Sequence, residues 1–362
     1  MASVMPGIQG HREPGPIGVQ IQRLHPAYFA LLMATGIVSI AAHLQGMQLF
    51  AKCLAWLNTA AFAVLWTFTM TRLIRFREAL LRDFADFSRG PGFFTLVAGT
   101  AVLGSQWWTV LGNWTVALVL WLIAIPLWFC FMYGVFTALI VRERKPVFAE
   151  GINGGWLLAV VATQAISELA ASLSPRFSGH EEEVLFFSFS MWLCGGMLYL
   201  WLISLIFYRY IFFPFHSSDL MPPSWINMGA MAISTFAGAA LMERAPAERF
   251  LASMLPFLSG FTVLFWATAT WWIPMLATLE FWRHVVKKVR LIYDPLYWGA
   301  VFPLGMYSAS THRLCETMDL PFLSWIPRTF FYIAVAAWFA TFIGLVRRMM
   351  SILREAGADA AD

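Results

Sequence analysis

Long apolar runs separated by short polar segments occupy the chain from residue 26 to residue 346. A helix needs about 20 mostly apolar residues to cross the hydrocarbon of a bilayer, so each run of this length is a candidate membrane span. Ten runs qualify: residues 26–46, 51–71, 93–112, 115–141, 155–174, 184–210, 225–242, 252–282, 297–315 and 326–346. The pattern predicts an all-α integral membrane protein. A ten-helix transport domain over residues 26–346 is flanked by tails over residues 1–25 and 347–362.

The basic residues predict how this domain is oriented. If the spans alternate in direction, 18 of the 24 lysines and arginines fall on one side of the membrane and 6 on the other. Basic loops stay on the cytoplasmic side, so both termini are expected there, in a multi-pass protein of a bacterial-type inner (plasma) membrane. The N-terminal segment has no apolar core that ends in a cleavage motif, so no signal peptide is expected.

Composition narrows the class of protein further. Hydrophobic residues make up 60% of the chain and charged residues only 12%, whereas about a quarter of a soluble protein is charged. The excess apolar surface therefore requires the lipid bilayer as a partner. The basic residues form no patch of the kind that binds nucleic acid. The four cysteines are far apart, and no metal-binding, haem or nucleotide-binding pattern is present, so we expect neither a cofactor nor an enzyme.

The spans repeat in pairs, and the odd spans begin at intervals of roughly 60–70 residues, as in many transport proteins built from repeats. Odd spans are rich in small residues, whereas even spans are rich in aromatic residues and end in arginine. Small residues let helix backbones approach closely. We therefore predict five helical hairpins, with odd helices inside around a central pore and even helices outside. Alternatively, the small residues serve only tight helix packing.

Hydroxyl groups on the odd spans are candidates for lining this pore, because they can donate hydrogen bonds to an anion without holding it tightly. Thr35 and Ser39 share one helix face, and Thr163 and Ser167 repeat the spacing. The predicted lining comprises Thr35, Gly36, Ser39, Gly99, Thr163, Ser167, Ser234, Gly238, Gly305 and Ser308. The alternative is that the hydroxyls bond back to carbonyls of their own helices.

Glu168 is the one carboxylate placed well inside an odd span. Ionisable groups within a membrane are candidates for function. Glu168 is expected either to take up a proton coupled to transport, to pair with His312 or Arg313, or to lie at the mouth in water. The remaining passage is expected to be nearly neutral, because a fixed cation at mid-membrane would slow the exit of an anion.

Two segments resemble a known family. Residues 25–41 (HPAYFALLMATGIVSIA) and 293–308 (YDPLYWGAVFPLGMYS) are similar to the tellurite-resistance/dicarboxylate transporter family. That family includes bacterial tellurite-resistance proteins, fungal malate permeases and sulfite efflux pumps, and plant slow anion channels. The resemblance implies five inner helices around a pore, assembly of three copies that each have a pore, and a phenylalanine plug beside a kinking proline. The matching residues are Phe302 and Pro303.

These observations favour transport of small anions through a gated central pore. C4-dicarboxylates, sulfite, tellurite and inorganic anions such as chloride and nitrate remain open as substrates. A proton-coupled dicarboxylate carrier that uses Glu168 is the alternative within transport. A membrane anchor or assembly subunit is the alternative of another class.

Overall fold

The computed structural model describes residues 16–358, with side chains over residues 18–354, and all regular structure in this part is helical. The ten long helices, numbered α1 to α10, are Ala30–Leu44, Gln48–Arg75, Phe94–Thr109, Trp114–Ile140, Leu158–Leu173, Glu181–Phe212, Ile226–Arg244, Leu255–Phe281, Trp298–Met318 and Trp325–Ala358. Each overlaps one predicted span. The all-helical fold is confirmed, and α10 continues through most of the predicted C-terminal tail.

Eight of the long helices have the length and hydropathy of a membrane span within the described residues: α1, α2, α4, α5, α6, α7, α8 and α10. The other two are inner helices of the predicted plan. α3 carries Ser105 and Gln106, and α9 carries His312, Arg313 and Glu316 near its end. Both correspond to predicted spans whose polar side chains lower the mean hydropathy.

A single turn of 3-10 helix introduces every odd-numbered long helix. These turns are Pro26–Phe29, Gly90–Phe93, Gly154–Leu157, Pro222–Trp225 and Pro295–Tyr297. Proline suits the first turn of a helix because its missing N–H would have no partner there and its fixed φ is already helical. The recurrence of the same entry at all five odd helices supports a chain built from five repeated hairpins.

The odd helices form a closed ring. α1 packs against α3, α3 against α5, α5 against α7, α7 against α9, and α9 against α1. Each odd helix also packs against the even helix that follows it. Burial matches this division: all of the apolar window of the α5 span is buried, compared with 22% of the α10 window. Odd helices are therefore inner and even helices outer, as the small and aromatic residues predict.

Candidate anion passage and the charged site at its end

The contacts of α9 show which of its sides faces the ring axis. Ser308 Oγ donates to the Pro327 carbonyl of α10 at 2.7 Å, and Thr311 Oγ1 accepts from Trp266 Nε1 of α8 at 3.0 Å. This side of α9 therefore faces outer helices. Phe302 precedes Thr311 by nine residues, about two and a half turns, so its side chain projects from the opposite side of α9.

Phe302 is completely buried, with 0% exposure. Its neighbour Pro303 packs against α7 so closely that a Cβ on Gly229 would lie 2.6 Å from Pro303 Cγ. Gly305 packs against α1, where a Cβ would lie 2.9 Å from Ile37 Cγ2. Residue 302 lies between these two contact directions on the helical wheel. The phenyl ring is therefore directed from α9 towards the interior of the ring.

A cavity of about 390 Å³ lies where the inner helices end. All five contribute to its wall, including Leu44 of α1, Thr109 of α3, Ser172 of α5, Phe236 of α7 and Arg313 of α9. A space bordered by every member of a closed ring lies on the ring axis. We call it the end cavity.

Arg313 connects the end cavity to the face of Phe302. It follows Phe302 by eleven residues, about three turns and about 16 Å along the helix, and so projects from the same side of α9. Its Nε and Nη2 bond Glu243 Oε1 and Oε2, both at 2.7 Å, and its Nη1 bonds Glu168 Oε1 at 3.1 Å. The guanidinium also lies over the Phe236 ring, 4.8 Å from its centroid.

Glu168 is buried, and every recorded partner donates to it. Ser172 Oγ donates to Oε1 at 2.8 Å, Ser105 Oγ of α3 donates to Oε2, and Arg313 completes the set. Of the expected fates of Glu168, pairing with Arg313 is the one observed. The expectation of a nearly neutral passage is corrected at this end, where a fixed cation faces the axis and two carboxylates offset its charge.

The predicted lining by Thr35, Ser39, Thr163 and Ser167 also needs correction. Thr35 Oγ1 accepts from Trp338 Nε1 of α10 at 3.0 Å, and Thr163 Oγ1 accepts from Trp128 Nε1 of α4 at 2.8 Å. Ser39 Oγ donates to the Ala51 carbonyl of α2, and Ser167 Oγ donates to the Ser188 carbonyl of α6, both at 2.7 Å. The four-residue spacing recurs because the two hydroxyls bond one inner helix to both of its outer neighbours. These hydroxyls face away from the axis.

The hydroxyls of Ser234 and Ser308 also have partners among the helices. Ser308 bonds α10, as described above, and so faces an outer helix. Ser234 Oγ donates to the Ala230 carbonyl of its own helix at 2.7 Å, as the alternative for such hydroxyls predicts, while the Ser234 carbonyl accepts from Trp192 Nε1 of α6.

The glycines predicted to line the passage lie at helix contacts. A Cβ on Gly36 would lie 2.7 Å from Val102 Cγ1 of α3, one on Gly99 would lie 3.1 Å from the Phe29 carbonyl oxygen, and one on Gly238 would lie 2.3 Å from Thr262 Oγ1 of α8. Gly305 lies against α1. Their close approaches match the alternative in which small residues serve helix packing.

Sequence reasoning missed the tryptophans that connect the two layers. Trp128, Trp192, Trp266 and Trp338 lie on successive outer helices, and each donates its indole N–H to the next inner helix in the chain, with Trp338 reaching α1. A buried indole N–H needs an acceptor. The regular occurrence of tryptophan in the even spans was the available signal, because a purely lipid-facing helix has no need for a buried donor.

Lipid-facing outer helices, a closed inner ring and an axial end cavity define a multi-pass membrane protein of the transporter and channel class. The profile of one family, described as voltage-dependent anion channel (SLAC1), matches residues 23–346. The chain belongs to this family, which confirms the resemblance of residues 25–41 and 293–308. The family consists of transporters and channels rather than enzymes.

Individual relatives agree with this membership. An uncharacterized transporter of Methanocaldococcus jannaschii is 25% identical over 89% of this chain and 92% of its own length. An uncharacterized membrane protein of Mycobacterium tuberculosis is 36% identical over 44% of this chain and 81% of its own length. A sulfite efflux pump of Trichophyton rubrum is 22% identical over 90% of each chain.

Proposed function

We propose that this protein carries small anions across the membrane along the axis of the inner ring, and that Phe302 is the gate. The observation that carries the proposal is the placement of Phe302. It is fully buried, projects to the ring interior, and lies about three turns from a charged cavity on the same axis. Membership of an anion channel family supports the choice of anions.

The assignment of Phe302 as the gate rests on the size and surroundings of its phenyl ring. A large apolar side chain in a narrow apolar constriction stops conduction by excluding water. Ile37 and Val38 of α1 pack against α9 at Gly305, one turn from Phe302, so the contact between these two inner helices is apolar beside the proposed gate. Pro303 donates no N–H to the helix, which weakens the backbone next to the gate and eases the movement of the ring.

Ten membrane crossings complete the proposal. Polar side chains lower the hydropathy of α3 and α9 below that of the other spans. Both helices are enclosed by other helices, so these side chains can find hydrogen-bond partners within the protein. With all ten spans in an inner (plasma) membrane, the loop charges place both termini in the cytoplasm. The end cavity then opens to the outside. By analogy with the family, three copies assemble, each with its own passage.

Sulfite and other inorganic anions are the substrates that we favour. A relative that spans 90% of this chain is named a sulfite efflux pump, and the matching family is described as an anion channel. C4-dicarboxylates and tellurite are the further candidates that the family resemblance suggests.

Flux measurements in proteoliposomes test this function. Chloride, nitrate, sulfite and malate are compared with and without a proton gradient, against liposomes without protein. We expect passive flux of the small anions above the protein-free control, driven by each anion's own gradient. If no anion moves, the transport proposal fails, and a membrane anchor or assembly subunit becomes the better account.

One observation favours a second candidate, a proton-coupled dicarboxylate carrier. Glu168 is a buried carboxylate on the axis side of α5, beside the end cavity. A group in this position can take up a proton as an anion passes. In the same flux experiment, malate uptake that follows the proton gradient and is lost in Glu168→Gln would support the carrier over the passive pore.

A further inference from the structure

The two parallel N–H donors of the Arg313 guanidinium, Nε and Nη2, which we call the fork, already bind a carboxylate of the protein itself. Glu243 presents two oxygens to Nε and Nη2 at equal distances of 2.7 Å. This bidentate arrangement is the one in which arginine binds free carboxylates and other flat oxyanions. Because the fork borders the end cavity, a small oxyanion that entered the cavity would compete with Glu243 for Arg313.

The two carboxylates on Arg313 differ in how firmly they are held. Glu168 is buried on α5 and receives bonds from two serines in addition to Arg313. The Glu243 side chain is 33% exposed, and its other recorded partner is the Thr317 hydroxyl at 3.4 Å. Glu243 also lies in the last turn of α7, where helix ends fray. Glu168 therefore fixes the guanidinium in place, and Glu243 is the carboxylate that can leave.

A second cation lies beside the first. Arg244 borders the same cavity, its Nε is buried without a hydrogen-bond partner, and no ion pair is recorded for it among the residues that the structure describes. An unpaired buried donor is costly. An oxyanion in the cavity would supply both the missing acceptor and a countercharge.

We propose that Arg313 and Arg244 form an anion-binding site at the outer end of the passage, and that Glu243 is a tethered competitor which an oxyanion with two available oxygens displaces. The exchange leaves the charge at Arg313 unchanged, because one anion replaces another. Flat or pyramidal oxyanions and carboxylates match the fork, whereas a spherical halide bonds it less well. The inference rests on the proposed transport function for its role, although the site can be tested without flux.

The other charged groups around the cavity are Glu168 of α5, Arg244 of α7, and His312 and Glu316 of α9, which pair with each other at 3.3 Å. α1 carries His43 near this end, and Arg176 lies over Trp108 of α3.

Binding of nitrate and of chloride to the detergent-solubilised full chain tests the site, measured by calorimetry at about pH 7.5. Both probes carry a single negative charge. Glu243→Gln should bind nitrate about tenfold more tightly than wild type, since a charge-assisted pair no longer competes.

Two further variants distinguish bidentate binding by Arg313 from a general effect of charge in the cavity. Glu316→Gln removes the same charge from the same cavity without touching Arg313, and we expect a change in nitrate affinity of less than about twofold. Arg313→Lys keeps the positive charge but loses the fork, so the preference for nitrate over chloride should disappear. Circular dichroism of each variant establishes that it is folded.

Two outcomes would overturn the inference. One is equal nitrate affinity in wild type and Glu243→Gln. The other is an unchanged nitrate preference in Arg313→Lys. Neither of these results affects the pore, which is tested by flux through Phe302→Ala, so failure of the site and failure of the proposed function can be told apart.

Discussion

Replacing Thr163 with valine tests whether its hydroxyl joins helices or lines the passage. Valine keeps the shape but removes the acceptor for Trp128 Nε1 at 2.8 Å, and so leaves a buried N–H without a partner. Hydrogen bonds between membrane helices couple by about 0.6 kcal/mol on average and about 1.7 kcal/mol at most. We therefore expect a loss of about 1 kcal/mol in the free energy of unfolding in mixed micelles, followed by circular dichroism.

A double-mutant cycle with Trp128→Phe isolates the hydrogen bond, because the double variant lacks both donor and acceptor. Thr268→Val is the matched control, since its hydroxyl bonds only the Leu264 carbonyl of its own helix; it should change stability by less than about 0.5 kcal/mol. The ratio of nitrate flux to chloride flux should be unchanged in Thr163→Val. A changed ratio with unaltered stability would refute the placement and restore Thr163 as a lining residue.

Two other predictions concern packing and pH. Gly238→Ala should lower the free energy of unfolding by about 1–3 kcal/mol, because its Cβ would lie 2.3 Å from Thr262 Oγ1. Gly260→Ala on α8, with nothing within 4 Å of its Cβ, should be neutral or stabilising; equal losses in the thermal melts would contradict this. Burial, with help from Arg89, lowers the pKa of His25 from 6.5 to about 4. Between those values only the unfolded chain binds the proton, so stability should fall as pH falls. His25→Asn should flatten that slope in melts, and an identical slope would contradict the assignment.

The layered architecture was predictable because bilayer thickness and close helix contact both constrain the sequence. Run length follows the hydrocarbon thickness, and close approach of inner helices requires small residues, as at Gly229 against Pro303. The inner position of the odd helices therefore followed from composition. The crossing that we propose for α3 and α9 is harder to recognise from hydropathy, because polar side chains lower the mean hydropathy of both helices.

The directions of the hydroxyl groups were not predictable from spacing. A four-residue interval places Thr35 and Ser39 on one helix face, but it does not say which neighbour that face meets. The structure shows that the neighbour is an outer helix.

The charged site around Arg313 could not be predicted from the sequence either. Arg313 is 145 residues from Glu168 and 70 from Glu243 along the chain. Only closure of the ring brings them together. Pairing of Glu168 with Arg313 is one of the predicted arrangements. Nothing in the sequence marks Glu243, because it falls just beyond the predicted span 225–242, where a carboxylate is usually solvated.

The most direct test of the gated passage compares anion flux through wild type, Phe302→Ala and Phe331→Ala in proteoliposomes. Phe331 is also buried, with 1% exposure against 0% for Phe302, but it lies on outer helix α10, so its removal creates a comparable packing defect away from the axis. The account predicts that Phe302→Ala raises passive chloride and nitrate flux several-fold, while Phe331→Ala stays at the wild-type level. Unchanged or abolished flux in a folded Phe302→Ala variant, or an equal rise in both, would contradict Phe302 as the gate.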